Sequence, residues 1–93
     1  MSGSKRNWRS TLAKNKLLEL GRMTYRLHRL IALDMDDERG ENIRDAMDGV
    51  CKHLTEEEIE KGRQLSASLY EVPIAGMHTC LKAWEKSLDS EVN

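Results

Sequence analysis

The sequence predicts an all-α protein, a small antiparallel bundle of three to four helices. Leu, Met, Ala, Glu, Lys and Arg dominate its 93 residues, and these residue types favour helices. One proline and few β-branched residues disfavour an all-β fold. Apolar residues also recur at steps of three and four along most of the chain, which is the spacing of a helix with one buried face.

The first helix is predicted over about residues 11–34. Its apolar positions follow alternating steps of three and four, and Met23 and Leu30 widen the apolar face. The ladder consists of Leu17, Leu20, Leu27 and Ile31, with Thr24 at its middle step. Residues 1–9 are rich in Ser, Gly, Lys and Arg, so they are predicted to form a disordered basic arm.

A second helix is predicted over about residues 38–54, and the acidic run over residues 34–40 ends the first helix and leads into this one. Its apolar residues repeat with a helical period, and charged residues occupy the opposite face. The apolar set is Ile43, Met47, Val50, Cys51 and Leu54. This helix therefore presents a broad apolar face that a neighbouring element has to cover.

The start of a third helix, over residues 56–71, is the sharpest local signal in the chain. Thr55 and Glu58 have the spacing of a capping box, and further glutamates fill the first turn. Gly62 and Ser66 lie within the apolar face of this helix. Such small residues permit a neighbouring helix to approach closely.

A fourth helix follows Pro73, because a proline forbids an undisturbed continuation of the third. The last two helices are predicted to be separated by a kink or short break at Pro73, since the apolar ladder restarts at once. This second ladder consists of Ile74, Met77, Leu81, Trp84 and Leu88. A single helical domain is thus predicted over residues 10–89, with a frayed tail over 90–93.

The ladders of the first and last helices predict a seam that is buried in the core or in a homodimer. A domain of 93 residues has a thin core, and oligomerisation is a common way to cover the apolar faces that remain. The sequence therefore favours a homodimer. The predicted seam is made by Leu17, Leu20, Leu27, Ile31, Ile74, Met77, Leu81, Trp84 and Leu88.

Charge is divided between two segments, although the formal net charge is only −1. Residues 1–33 carry eight basic residues and one acidic residue, a net charge of +7. Residues 34–60 carry eleven acidic and three basic residues, a net charge of −8. The sequence leaves open whether these basic and acidic blocks pair within one chain or across a dimer.

The basic block supplies the candidate partner-binding residues. Arg22, Arg26 and Arg29 lie at i, i+4 and i+7, which is one row of the first helix. Such a row can steer an acidic protein partner or contact the phosphate backbone of a nucleic acid. The arm adds Lys5, Arg6, Trp8 and Arg9, of which the tryptophan could stack on a base.

The acidic run does not have the spacing of a calcium loop. Asp34, Asp36 and Glu38 match the first ligand positions of an EF-hand loop. Gly40, however, comes one position too late for the turn, and Asp45 stands where the bidentate glutamate belongs. The sequence predicts a solvated turn between helices instead.

The histidines and cysteines predict no metal site, and no cofactor is expected. They form two pairs, Cys51 with His53 and His78 with Cys80, whose members are two residues apart. Thiolate and imidazole are zinc ligands. On a helix, however, side chains two residues apart point about 200° from each other and cannot chelate one ion.

The chain is predicted not to be an enzyme, because it has no Gly-rich phosphate loop, nucleophile elbow or His-Glu-x-x-His motif. His28 lies between Arg26 and Arg29 and is expected on the surface without an acid–base role. No apolar run is long enough to span a membrane, and no secretory signal or disulfide framework is present, so a cytoplasmic location is expected.

We predict a non-enzymatic regulator or adaptor that acts through protein–protein contacts, of the kind that small bacterial or phage inhibitors represent. The partner is another protein, which the sequence does not identify. The alternative is a nucleic-acid-binding accessory protein that uses the basic arm and the first helix.

Overall fold

A computed structural model of the chain consists of four α-helices joined by short connections. They are α1 (Ser2–Ala32), α2 (Glu38–Cys51), α3 (Glu56–Glu71) and α4 (Ile74–Val92). The structure describes the backbone of residues 2–35 and 37–92 and the side chains of residues 14–35 and 37–88. The described backbone contains no strand, so the predicted all-α helical bundle is confirmed.

Helix α1 is the centre of the bundle and packs against each of the other three helices. It is antiparallel to α2, since the C-terminal part of α1 lies beside the first turns of α2. It is parallel to α3, where Leu20 lies against Gly62 and His28 contacts Ser66. Helices α3 and α4 also pack on each other, whereas α2 packs extensively only on α1 in the described part of the chain.

The ends of α1 differ from the sequence-based boundaries. The helix begins at Ser2, although the sequence predicts a start near residue 11. The side chains of residues 1–13 lie outside the described part of the chain, so the binding role of the basic residues within 1–9 stays a prediction. Helix α1 ends two residues earlier than predicted, because Asp34 adopts a left-handed conformation with φ of 57°. The amide of Met35 then donates to the carbonyl of Leu30 at 2.8 Å, which closes the helix end.

Helix α2 ends at Cys51 and not at the predicted residue 54. The amides of His53 and Leu54 donate to carbonyls three residues back, at 3.0 and 3.1 Å. This tighter turn brings the chain to Thr55, whose backbone is extended, with φ of −78° and ψ of 166°. At the other end of α2, the Asp37 carboxylate accepts a hydrogen bond from the Arg39 amide at 3.1 Å and caps the helix.

The capping box at the start of α3 is confirmed. The Glu58 amide donates to the Thr55 hydroxyl at 3.3 Å, and the Glu58 carboxylate accepts from the Thr55 amide at 2.8 Å. Helix α3 accordingly has the predicted bounds, residues 56–71. The cap works through local atoms alone, which is why the sequence located it.

We expect Thr55→Ala to lower the free energy of unfolding by about 0.5–2 kcal/mol, because the substitution leaves an amide of the first turn of α3 without its acceptor. Urea denaturation of the variant and the wild type gives the difference. Thr55→Ser, which keeps the hydroxyl, serves as the control and should unfold close to the wild type. An alanine variant as stable as the wild type would show that the cap contributes nothing.

Val72 and Pro73 lie between α3 and α4, which form an antiparallel pair. The indole Nε1 of Trp84 donates to the Lys61 carbonyl at 3.0 Å, which ties the middle of α4 to the first half of α3. Leu69 and Met77 pack in one cluster nearer the connection.

The core consists of two clusters that Trp84 joins. One contains the buried side chains Leu17, Leu20, Val50 and Leu88, and the other contains Leu65, Leu69, Met77 and Leu81. Trp84 is half-buried and packs against both clusters. The two helices that supply the predicted seam thus face each other within one chain.

Not every predicted seam residue is buried in the chain. Leu17, Leu20, Leu27, Met77, Leu81 and Leu88 are buried. Ile31 is only half-buried, and Ile74 is 40% exposed at the start of α4, beyond the end of the core. Exposed Tyr70 lies four residues before Ile74, across the connection between α3 and α4. Tyr70 and Ile74 are therefore the large side chains that this end of the hairpin leaves to solvent.

Glycines let two large side chains lie directly on neighbouring helices. A Cβ atom at Gly21 of α1 would overlap the six-membered ring of Trp84. A Cβ at Gly62 of α3 would lie 2.8 Å from Cδ2 of Leu20. At both positions the missing side chain provides the space that the neighbour fills.

None of the helices in the described part of the chain combines the length and the apolar character needed to cross a membrane.

Candidate partner-binding surfaces on helix α1

The predicted arginine row lies along one exposed side of α1, but its three members have different surroundings. Arg22 is held by α4, where its Nε lies 3.3 Å from a carboxylate oxygen of Glu85. That carboxylate is only 14% exposed and also accepts from Lys82 at 3.3 Å. Arg22 thus belongs to a small ion-pair network between α1 and α4. Arg26 and Arg29 point to solvent and pair with no acidic side chain among the described residues.

Arg26 and Arg29 lie on the wall of a shallow cleft between α1 and α2, which we call the arginine cleft. Its volume is about 560 Å³, and it is lined by Tyr25, Arg26, Arg29, Leu30, Leu33, Arg39, Asn42 and Ile43. The Arg29 guanidinium lies 5.8 Å from the centre of the Tyr25 ring, within range of a cation–π contact. Arg39, from α2, adds a third guanidinium that the sequence-based row does not include.

Among the described residues, the basic and acidic blocks do not pair with each other around this cleft. Arg22 pairs with Glu85, outside the acidic block, and neither Arg26 nor Arg29 contacts an acid of residues 34–60 in the described structure. Arg39 makes one long pair with Asp37 at 3.8 Å, in which both side chains are 62% exposed. Exposed pairs of this kind stabilise a fold very little. Within the described residues, the positive charge of Arg26 and Arg29 is therefore not neutralised by an acidic side chain.

A second groove lies on the other side of α2, between α2 and α3, and we call it the histidine groove. It has a volume of about 290 Å³, and α1 forms its floor. Apolar, small and two ionisable side chains from all three helices line it. They are Leu20, Thr24, Leu27, His28, Met47, Cys51, Ile59, Gly62, Arg63 and Ser66.

His28 is buried, so the expectation that it lies on the surface is wrong. Only 4% of the residue is exposed, and its Nε2 lies 2.8 Å from the Ser66 hydroxyl. The rings of His28 and Tyr70 make an edge-to-face contact, with ring centres 4.3 Å apart. Its position four residues after Thr24 places it on the buried face of α1, a signal that the flanking arginines obscured.

Cys51 and His28 both line the histidine groove. Burial lowers the pKa of His28. Burial also raises the pKa of the Cys51 thiol, and the nearby Asp48 carboxylate raises it further, although Arg63 opposes this. Both changes favour the neutral thiol and neutral imidazole over the thiolate–imidazolium pair of a nucleophilic cysteine. Both pKa shifts in the histidine groove therefore oppose formation of that ion pair.

Burial of His28 predicts that acid destabilises the fold. The unfolded chain binds a proton near pH 6.5, whereas the folded chain binds it only at a lower pH. The stabilisation of the folded state by neutral His28 is therefore complete above about pH 6.5, and it is lost as the pH falls toward the lowered pKa. We expect His28→Gln to reduce the loss of stability between about pH 7.5 and 5 in urea titrations. Exposed His53, replaced by Gln, is the control, and equal slopes for His28→Gln and the wild type would contradict the prediction.

The described residues contain no cluster of three or more His, Cys, Asp or Glu that could hold a metal ion. Cys51 lies in the histidine groove, and burial likewise raises the pKa of the Cys80 thiol in α4. Both cysteines are free. The side chains of Lys5, Arg6, Trp8 and Arg9 lie outside the described part of the chain, so their part in binding stays a prediction.

No protein-family model, no curated protein and no solved structure matches the chain.

Proposed function

We propose that this protein is a non-enzymatic regulator or adaptor that acts through protein–protein contacts in the cytoplasm, in the manner of a small bacterial or phage inhibitor. The observation that carries the proposal is the arginine cleft, which places Arg26 and Arg29, neither paired with an acidic side chain among the described residues, beside apolar side chains. Apolar contact gives a protein interface its affinity, and charge speeds encounter and selects the partner.

Capture from cells of the source organism tests this proposal. The tagged wild type is compared with the double variant Arg26→Glu, Arg29→Glu and with Arg63→Glu, which reverses an arginine in the histidine groove. Quantitative mass spectrometry should recover a protein with the wild type and with Arg63→Glu and lose it with the double variant. Recovery that is the same for all three would contradict a role for the cleft.

The nucleic-acid alternative is tested by electrophoretic mobility shift over a salt series. A nucleic-acid ligand would give binding that weakens steeply with salt, and the double variant would flatten the slope by roughly 0.9 for each lost phosphate contact on duplex DNA. The proposal expects no such binding. The apolar side chains Leu30, Leu33 and Ile43 favour a protein, because a phosphate backbone has nothing to place against them.

A homodimer is the second part of the proposal. Ile74, from the predicted seam, and Tyr70 are exposed at the connection between α3 and α4, at 40% and 70%. A second copy would cover these apolar surfaces. Sedimentation equilibrium should give about twice the chain mass of 10.7 kDa. A mass of one chain at high concentration would exclude the dimer, and a dimer that survives Tyr70→Ser with Ile74→Ser would exclude this seam.

A further inference from the structure

We infer that the arginine cleft receives an acidic amphipathic helix of the partner protein, an inference that rests on the function proposed above. Helices α2, α3 and α4 cover three sides of α1, and the side that carries Arg26 and Arg29 remains open. A helix laid along this side, next to α2, would complete the ring of helices around α1. Two antiparallel helices form a groove into which the side chains of a third helix can pack.

The floor of the cleft suits the apolar face of such a helix. Leu30 and Ile43 are half-buried, and Leu33 is 47% exposed although it is a large apolar residue. The three side chains come from both helices and line one continuous cleft. A partner that covered them with leucine-sized side chains would gain about 25 cal/mol for each square ångström of apolar surface removed from water.

The rim of the cleft suits carboxylates at helical spacing. Arg26 and Arg29 are three residues apart on α1, one turn of helix, so carboxylates three or four residues apart on a partner helix lie opposite them. Arg39 faces the same cleft from α2 and could bind a third carboxylate. Guanidinium groups bind carboxylates through two parallel hydrogen bonds, which fixes orientation as well as charge.

The length of the cleft sets the length of the occupant. Its lining on α1 runs from Tyr25 to Leu33, and a rise of 1.5 Å per residue makes this about 12 Å. A partner segment of two to three turns therefore spans it. Contacts with α1 and α2 at the same time give the segment its register, because Arg26 and Arg29 come from α1 and Arg39 comes from α2.

A synthetic helical peptide tests the inference directly on the full chain. The probe has about four turns, held helical by a side-chain lactam, with glutamates along one side and leucines along the next. Nuclear magnetic resonance titration of the isotope-labelled protein should show saturable shifts of the amides of Leu30, Leu33 and Ile43. A matched peptide with lysine for each glutamate should not bind.

Variants of the protein make the test decisive. The double variant Arg26→Glu, Arg29→Glu should bind the acidic peptide about tenfold more weakly or worse, and Arg63→Glu should bind it as the wild type does. Circular dichroism confirms that each variant is folded. Shifts that map to the histidine groove, equal losses for both variants, or no saturable binding would overturn the inference.

This test separates the inference from the proposed function. If the acidic peptide fails to bind while the double variant still loses a protein partner captured from cells, the adaptor function stands and the helical occupant is wrong. If capture does not depend on Arg26 and Arg29, both the proposed function and the inference of a helical partner segment fail.

Discussion

Replacing Trp84 by alanine is expected to lower the free energy of unfolding by about 3–5 kcal/mol, the range found for deletion of a large core aromatic. Trp84 is half-buried, but it packs against both core clusters, so its loss removes the contact between them. It also removes the hydrogen bond from the indole to the Lys61 carbonyl in α3. Urea denaturation followed by circular dichroism measures the difference.

The variant Trp84→Phe separates the packing of the ring from its hydrogen bond. Phenylalanine keeps most of the apolar contacts and loses the donor, so we expect a cost of about 0.5–1.5 kcal/mol for the lost bond in addition to a small packing loss. A Trp84→Ala protein as stable as Trp84→Phe would mean that the ring does not join the clusters. The predicted seam of α4 would then need a different explanation.

Replacing Gly21 by alanine is expected to destabilise the fold by about 1–3 kcal/mol, although alanine is the better helix former. The intrinsic preference favours alanine by up to about 1 kcal/mol in the interior of a helix. Against this, the new Cβ would overlap the Trp84 ring, which the two clusters hold from both sides. The overlap with the Trp84 ring therefore outweighs the helix preference, and Gly21→Ala lowers the free energy of unfolding.

Gly49 provides a matched control for Gly21. It is also a helical glycine, but a Cβ at this position would meet no atom within 4 Å. Gly49→Ala should therefore stabilise the protein by up to about 1 kcal/mol. In a Trp84→Ala background, Gly21→Ala should lose its penalty, because the ring that it meets is gone. Two glycine variants with the same sign of effect would contradict the close contact.

The sequence predicted most of the fold wherever a local interaction determines an element. The capping box of Thr55 and Glu58 involves neighbouring residues only, and the bounds of α3 were correct. The end of α2 was predicted three residues too late, because Leu54 continues the apolar pattern beyond the end of the helix. In the structure, His53 and Leu54 form a tighter turn, in which their amides donate to carbonyls three residues back. The spacing of apolar residues alone does not distinguish the last turn of an α-helix from a tighter turn that follows it.

The candidate site was predictable only in part, because its partners come from distant parts of the chain. The row of Arg22, Arg26 and Arg29 follows from helical spacing. That Arg22 pairs with Glu85, 63 residues away, depends on how α4 crosses α1. Arg39 enters the cleft for the same kind of reason, since it is placed by the antiparallel packing of α2 on α1.

We expect helix α2 to open locally while the remainder of the fold stays closed. Among its described side chains, Val50 is the buried apolar one, and the helix packs extensively only on α1. Helices α1, α3 and α4 pack on one another without it. Amide hydrogens of α2 should thus exchange with solvent through a partial unfolding that costs less free energy than global unfolding. A ligand bound between α1 and α2 would slow this exchange. Ligand binding and the local unfolding of α2 would then be thermodynamically linked.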